Sequence, residues 1–366
     1  MQQHLFALGS NGSGQLGIGH KEDVSVPKPV LFSTPLTSPI TKIAAGGNHT
    51  LLLTASGTVY STGDHSTGAC GKLPPGPQPP AEFHPLDLTK PTTPSQPVTH
   101  AAATWEATIL ATPTKLYTLG AGLKGELGLG PFLFRTSSPS ALPDFPPSPS
   151  QTIADLSASM AHTIAVLSDG TAYGWGTGRH GQLGSPAAAV VDAPREIGEV
   201  PFSIVRVVCG RDFTCLFGAP ESGEFLVLGS DKWGVRSAAP TAEAIRGWKD
   251  VGAGWGGVYV LRGDGSVLSW GRDDHGQMAP ADLASAEKIA VGSEHAVALS
   301  NEGDVTAWGW GEHGNCGPPV GDERGGPAPK GRRNVIASSK YVPPGASITA
   351  IGAGCATSWI ALEMPA

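Results

Sequence analysis

The chain has 366 residues and a formal charge of −7, which excludes a nucleic-acid backbone as main partner, because that grip needs clustered Lys and Arg. Its 51 glycines and 33 prolines would signal low complexity if unordered, but most of the glycine is periodic and marks turns. Five cysteines with no CxxC pair exclude a disulfide framework, and no apolar run reaches the ~18 residues of a membrane span.

From the N-terminus on, one skeleton recurs seven times: an apolar residue or Thr, Gly, four residues, Gly. The pairs are Gly9 and Gly14, Gly63 and Gly68, Gly120 and Gly125, Gly176 and Gly181, Gly229 and Gly234, Gly271 and Gly276, and Gly309 and Gly314. Successive first glycines lie 38 to 57 residues apart, the signature of a repeat architecture. The first unit begins at once, leaving no room for a signal peptide; the expected location is cytosolic or nuclear.

Each skeleton closes a segment that reads as a β-hairpin. LLLTASGTVYSTG, TIAVLSDGTAYGWG, VYVLRGDGSVLSWG and AVALSNEGDVTAWG place two β-rich runs around Ser56-Gly57, Asp169-Gly170, Asp264-Gly265 and Glu302-Gly303, turns that call for positive φ. A short apolar run before each hairpin (40–44, 153–156, 205–208, 249–251, 288–291) supplies an innermost strand. Pro-flanked pieces such as 26–32 and 193–197 supply an outer one, where a missing N–H is tolerated. Four antiparallel strands in seven units predict an all-β, seven-bladed β-propeller forming a single domain over 1–366. The C-terminal run ITAIGAGCATSWIAL is half a unit and the N-terminal HLFALG the other half, so the N-terminal strand is expected to pair with the C-terminal blade and close the ring. Pro-rich stretches at 72–97, 137–150 and 318–344 are expected as loops.

Chemical signatures are sparse. GxGxxG at 120–125, 176–181 and 309–314 stands in register with the repeat and is followed by no helix, so these are turns rather than a dinucleotide site. His49, His162 and His295 form one column, read as hydrogen-bonding links between blades; His65, His180, His275 and His313 form a second. His313 and Cys316 lack the remaining ligands of a tetrahedral metal set. The basic cluster Lys330, Arg332 and Arg333 reads as a solvated loop. Neither a cofactor, a metal site nor a catalytic signature is expected, and the chain is not read as an enzyme.

Trp175, Trp270 and Trp308 occupy the repeat's own position and read as packing residues. Trp105, Trp233, Trp248, Trp255, Trp310 and Trp359 stand outside it, and several such residues together point to a binding face. The loops opening each second strand place Asn48, Trp105, Asp212, Trp255, Glu294 and Thr357 at one end of the ring in equivalent positions, and their variety suits one asymmetric partner. Trp310, Glu312, His313 and Asn315 form the densest departure from the repeat, on a loop expected at the opposite end.

The Gly-x-x-His strand opening and the endings Gly14-Gln15-Leu16-Gly17, Gly181-Gln182-Leu183-Gly184 and Gly125-Glu126-Leu127-Gly128 resemble the repeats of the regulator of chromosome condensation family. That resemblance covers almost the whole chain and implies a seven-bladed propeller. A narrower resemblance, to a fungal branch of the family, is carried by FALGSNGSGQLGIGHKED, GGNHTLLLT, GSEHAVAL with WGWGEHGNCGP, and GCATSWIAL. It implies a cytoplasmic and nuclear, non-enzymatic partner of a small CSL-type zinc protein, forming a heterodimer that serves diphthamide synthesis on elongation factor two and Elongator-dependent tRNA modification, with Elongator reached indirectly. The family's founding role implies the alternative, a guanine-nucleotide exchange factor or chromatin/GTPase adaptor.

Overall fold

A computed structural model describes residues 2–72, 81–88, 96–318 and 333–364. Seven antiparallel sheets follow the seven repeats in chain order. Blade 1 comprises Ile40–Ala45, His49–Thr54, Val59–Gly63 and His84–Pro85, and blade 2 His100–Ala103, Ala107–Ala111, Leu116–Ala121 and Arg135–Ala141. Blade 3 comprises Ile153–Ser159, His162–Leu167, Ala172–Gly178 and Ala188–Glu196. Blade 4 (Arg206–Cys209, Phe213–Phe217, Phe225–Gly229) and blade 5 (Trp248–Ala253, Gly257–Arg262, Val267–Gly271) have three strands among the described residues. Blade 6 comprises Ala286–Val291, His295–Ser300, Asp304–Gly309 and Arg333–Ser338.

Blade 7 closes the ring with strands from both ends, in the order Ser347–Ala353, Thr357–Met364, Gln2–Gly9, Val24–Pro29. Gln2–Gly9 pairs residue by residue with Met364–Thr357 and stands inside the sheet. The expected closure is therefore observed.

The expectation of four strands in every blade is corrected at blades 4 and 5. Their repeats are the shortest, and a short connection cannot turn, run an outer strand and still return to the next inner one. After blade 4 a single-turn helix, Ala242–Ile245, buries Ile245 against the blade's apolar residues instead. The Pro-rich stretches also need correction: residues 137–141 lie in the outer strand Arg135–Ala141, His84–Pro85 falls inside 72–97, and Arg333–Ser338 inside 318–344. Outer edges accommodate proline because no neighbour needs its N–H. The remainder of 72–97 and 318–344 lies partly, and Lys330 and Arg332 wholly, outside the described residues.

The glycine skeleton has a steric cause. At all seven first glycines φ lies between +100° and +117°. A Cβ there would sit 2.2–2.6 Å from the carbonyl oxygen of the residue preceding the second strand, so no other residue fits. Between the two glycines the chain makes a turn that the Gln column locks from inside: Gln15, Glu126, Gln182 and Gln277 each accept from the backbone N–H two residues earlier.

Two further columns tie blade to blade. Trp175, Trp270 and Trp308 are 0–4 % exposed, and each indole N–H donates backwards, to the carbonyls of Glu126, Val235 and Gln277 in the preceding blade. Removing such a side chain costs about 3–5 kcal/mol. The first histidine column reaches forwards. His49, His162 and His295 lie 3.1, 3.1 and 2.9 Å through Nε2 from the hydroxyls of Thr108, Thr214 and Ser358 in the next blade. Thr108 and Ser358 spend their own protons on the carbonyls of Ala69 and Asn315, so the imidazole must donate.

Candidate partner-binding site at the shaft mouth

Strand direction decides which loops share a face. In each blade the inner strand runs up to the mouth, the second runs away and the third returns, so the first and third connections open on the same end. The loop Trp310–Asn315 follows a third strand and therefore lies on the face of the strand-opening loops, not opposite as expected. Contacts confirm it: Trp310 N donates to the Glu294 carbonyl at 2.9 Å.

The strand-opening residues are also not equivalent. The first residue of each second strand pairs with the first glycine of the skeleton, as His49 with Gly63, Ala107 with Gly120 and Gly257 with Gly271. Asn48, Asp212 and Glu294 precede that position by one, Trp105 and Trp255 by two, and Thr357 occupies it. The offset matters. Trp105 from blade 2 and Trp255 from blade 5 reach across the shaft, their ring centroids 5.9 Å apart at 42°. Trp105 lies over Gly47 of blade 1, where any Cβ would fall 2.4 Å from its indole. The pair lids a shaft of about 780 Å³ lined by the inner strands.

Beside the lid, blades 4 to 6 build a second cluster. The Arg272 guanidinium lies 4.9 Å from the Trp233 ring and 5.5 Å from the Trp310 ring. It donates to Asp274 at 2.6 Å and to Glu294 at 2.5 Å. That pairing raises the Arg272 pKa and holds the Asp274 carboxyl down at about 2. His275 stacks on Trp310 at 3.9 Å, Gln277 bridges Asp274 and Glu294, and Arg211 sits 5.8 Å over Trp255. Trp105 and Trp233 remain 36 % and 41 % exposed. Aromatic faces and paired charges at the rim of a concave mouth are what a protein partner uses as anchors.

Of the expected contact residues, Asn48, Trp105, Asp212, Trp255, Glu294, Trp310, Glu312 and His313 keep surface on this face. Two do not. Thr357 is 1 % exposed and its hydroxyl accepts from the Trp359 indole; Asn315 is fully buried and its amide donates to the Trp310 carbonyl. Both shape the mouth from beneath and offer no surface. His313 pairs with Asp23 at 2.8 Å, and burial pushes the Cys316 thiol to about 12, so the two do not converge on a metal. Sequence reading missed Arg272 as the hub, because a lone arginine after Trp-Gly carries no signal until the loops are folded together.

The far end of the shaft is built differently. In five blades the inner strand slips register by one residue just before a common position, and a bulge re-aims the residue that follows. Blade by blade that ring reads Lys42, His100, Asp155, Arg206, Asp250, Lys288 and Ala350. Arg206 bridges Asp155 at 3.4 Å and Asp250 at 3.2 Å, and Lys288 donates to the Thr349 carbonyl. Lys42 keeps accessible surface but has shaft wall on every side, and that enclosure, with Arg206 nearby, lowers its pKa.

The histidine–hydroxyl pairs resemble a base beside a nucleophile, but both partners are at most 2 % exposed and burial holds each imidazole at about 4. They are links between blades, closed to substrate.

A family model described as the RCC1-like domain matches residues 4–360. An RCC1 repeat-containing protein of Schizosaccharomyces pombe is 32 % identical over 98 % of this chain and 99 % of its own. The secretion-regulating guanine nucleotide exchange factor of Mus musculus is 26 % identical over 75 % of this chain, a match spanning 61 % of its length. Among solved structures, Prp20p from Saccharomyces cerevisiae superposes with a TM-score of 0.81 at 19 % identity, covering 100 % of this chain and 92 % of that one, a likeness of fold. With the match running through all seven blades and the closing strand pair, this chain belongs to the RCC1-like domain family.

Proposed function

We propose that this propeller is a non-catalytic scaffold whose shaft-mouth face binds a small CSL-type zinc protein as a heterodimer. Through that partner it supports diphthamide synthesis on elongation factor two and Elongator-dependent wobble-uridine modification of tRNA, in cytoplasm and nucleus. The observation carrying the reading is the Trp105–Trp255 pair across the mouth, flanked by the Arg272 cluster on the same face. Neither tryptophan serves the repeat, and an aromatic pair with Trp105 exposed and Trp255 half-buried, backed by paired charges, is the composition of an interface hot spot. The narrower sequence resemblance supplies the partner's identity.

Calorimetry with the purified zinc protein tests it. Trp105→Ala with Trp255→Ala should weaken binding by about 10²-fold, at ~1.4 kcal/mol per tenfold, with the unfolding midpoint nearly unchanged. Full affinity in that double variant refutes the mouth as the binding face. A second reading, exchange on or adaptation to a small GTPase, is favoured by the exchange factor among the relatives. Nucleotide release from a GTPase accelerated by the chain would select it.

A further inference from the structure

Blade 2 carries a feature that neither the repeat nor the mouth accounts for. Between its third and outer strands, after the buried turn at Glu126 and Leu127, the chain runs Leu129-Gly130-Pro131-Phe132-Leu133-Phe134 before Arg135. Phe132 is 91 % exposed, Leu133 42 % and Phe134 46 %, with Leu123 at 79 % and Val190 of blade 3 at 47 %. These five large apolar side chains form one patch. Gly122 N donates to the Phe134 carbonyl at 2.9 Å, which brings Leu123 beside the tip. Val190 packs against Gly125, its methyl 3.1 Å from where a Cβ would stand. Gly130 N donates to the Asp192 carbonyl at 2.8 Å, so the loop is held at both ends and its tip is presented in place.

An exposed apolar cluster of this size marks a contact site. Two observations say what covers it. The exposed charged residues flanking the tip along the chain, Lys124 and Arg135, are both cationic, in a chain of net charge −7, while Asp192 of blade 3 lies at the base of the loop. The loop also opens on the same face as the mouth: Ala121 N, at its base, donates to the carbonyl of Glu106, the neighbour of Trp105, at 2.9 Å, the bond that the residue after the first glycine makes in every blade.

We infer that the Phe132 loop is a second anchor for the protein seated on the mouth, entering an apolar groove of that partner whose edge carries carboxylates to meet Lys124 and Arg135. The same macromolecule then spans the shaft lid and the rim of blades 2 and 3. The acidic chain as a whole disfavours an anionic bilayer as the occupant, and the loop's cations then serve orientation, since rim charges act on association and register.

This rests on the reading above, and the test separates the two. The probe is the purified CSL-type zinc protein, titrated into the full chain, into Phe132→Ser with Leu133→Ser, into Lys124→Glu with Arg135→Glu, and into the Trp105→Ala/Trp255→Ala double variant. The serine pair should weaken binding about tenfold or more with an unchanged unfolding midpoint, because neither side chain is in the core. The charge reversal should slow association and flatten its salt dependence. If the mouth variant loses affinity while the serine pair and the reversal bind as the full chain does, the second anchor is wrong and the mouth stands. If the full chain does not bind the zinc protein at all, both fall. If instead the full chain co-sediments with phosphatidylcholine/phosphatidylserine vesicles and the serine pair does not, the loop is a membrane contact and the protein-groove assignment is overturned.

Discussion

Lowering the pH should unfold this ring through its histidine links, and the structure sets the scale. His49, His162 and His295 are at most 2 % exposed, and burial brings each from the ordinary 6.5 to about 4. The folded state therefore refuses protons that the unfolded chain accepts between those two values. Stability is fully present above 6.5 and is lost as pH falls towards 4, the sign for a histidine held neutral. A shift of that size is worth about 3 kcal/mol per residue, so about 10 kcal/mol for the three as an upper figure. In the middle of the window the slope reaches ~4 kcal/mol per pH unit, and at pH 5 about 6 kcal/mol is gone, comparable with the whole stability of many domains.

The assay is the urea midpoint between pH 7.5 and 5 for the full chain and for His49→Gln/His162→Gln/His295→Gln. A carboxamide can still donate to the facing hydroxyl but does not titrate. The variant should be weaker at pH 7.5 and lose markedly less between 7.5 and 5. Carboxylates held low, such as Asp274 at about 2, act below this window; His65 and His100, lowered chiefly by burial, act within it and leave a residual slope in both proteins. Equal slopes in the two proteins would refute the argument.

Two other outcomes follow from the ring. Deleting residues 1–7 removes most of the strand between Thr357–Met364 and Val24–Pro29, including Leu5 and Ala7 at 2 % and 0 % exposure; size-exclusion chromatography should show aggregation, and a monomer with unchanged melting would refute ring closure as a stability element. Thr108→Val strands a buried imidazole N–H, Thr214→Val removes the hydroxyl facing the buried His162 Nε2, and each should cost about 1–3 kcal/mol in chemical denaturation. Thr50 and Thr163, whose buried hydroxyls have no partner, should take valine at little cost, and equal losses at all four sites would show that the histidine pairing contributes nothing.

The valine contrast also shows how the sequence was readable. The skeleton glycines, the tryptophan column and the three histidines are periodic because each solves a problem that recurs around the ring: a positive φ against a carbonyl in every blade, and a gap between sheets or a facing hydroxyl in three. Periodic causes leave periodic residues, so fold, closure and the linking role of His49, His162 and His295 were legible. The missing outer strands of blades 4 and 5 were visible only as shortened spacing. The site was legible in part. Trp105 and Trp255 stood out for lacking a structural reason, but Thr357 and Asn315 looked alike on paper and proved to be core. The meeting of Trp233, Arg272 and Trp310 depends on loops from three blades and leaves no pattern in any one of them. The Phe132 loop was written plainly as three consecutive large apolar residues, yet an apolar run alone does not say which way it faces.

The orphaned hydroxyls of Thr50 and Thr163 carry the argument one step further. In the ring, Thr50 follows blade 7 and Thr163 follows blade 2, where Thr357 and Ala107 stand in place of the histidine. Val258 and Ala296 likewise follow Phe213 and Gly257, with neither donor nor acceptor. Every observed pair thus joins a histidine blade to a successor bearing a hydroxyl, and four of the seven junctions dispense with the link. Blades 2 and 5, which lack the histidine, are the ones whose loops send Trp105 and Trp255 over the shaft, and blade 2 also carries the Phe132 loop. A junction released from the repeat's constraint at its first strand residue is free to vary in the loop just before it, and that is where the asymmetric surface has been built.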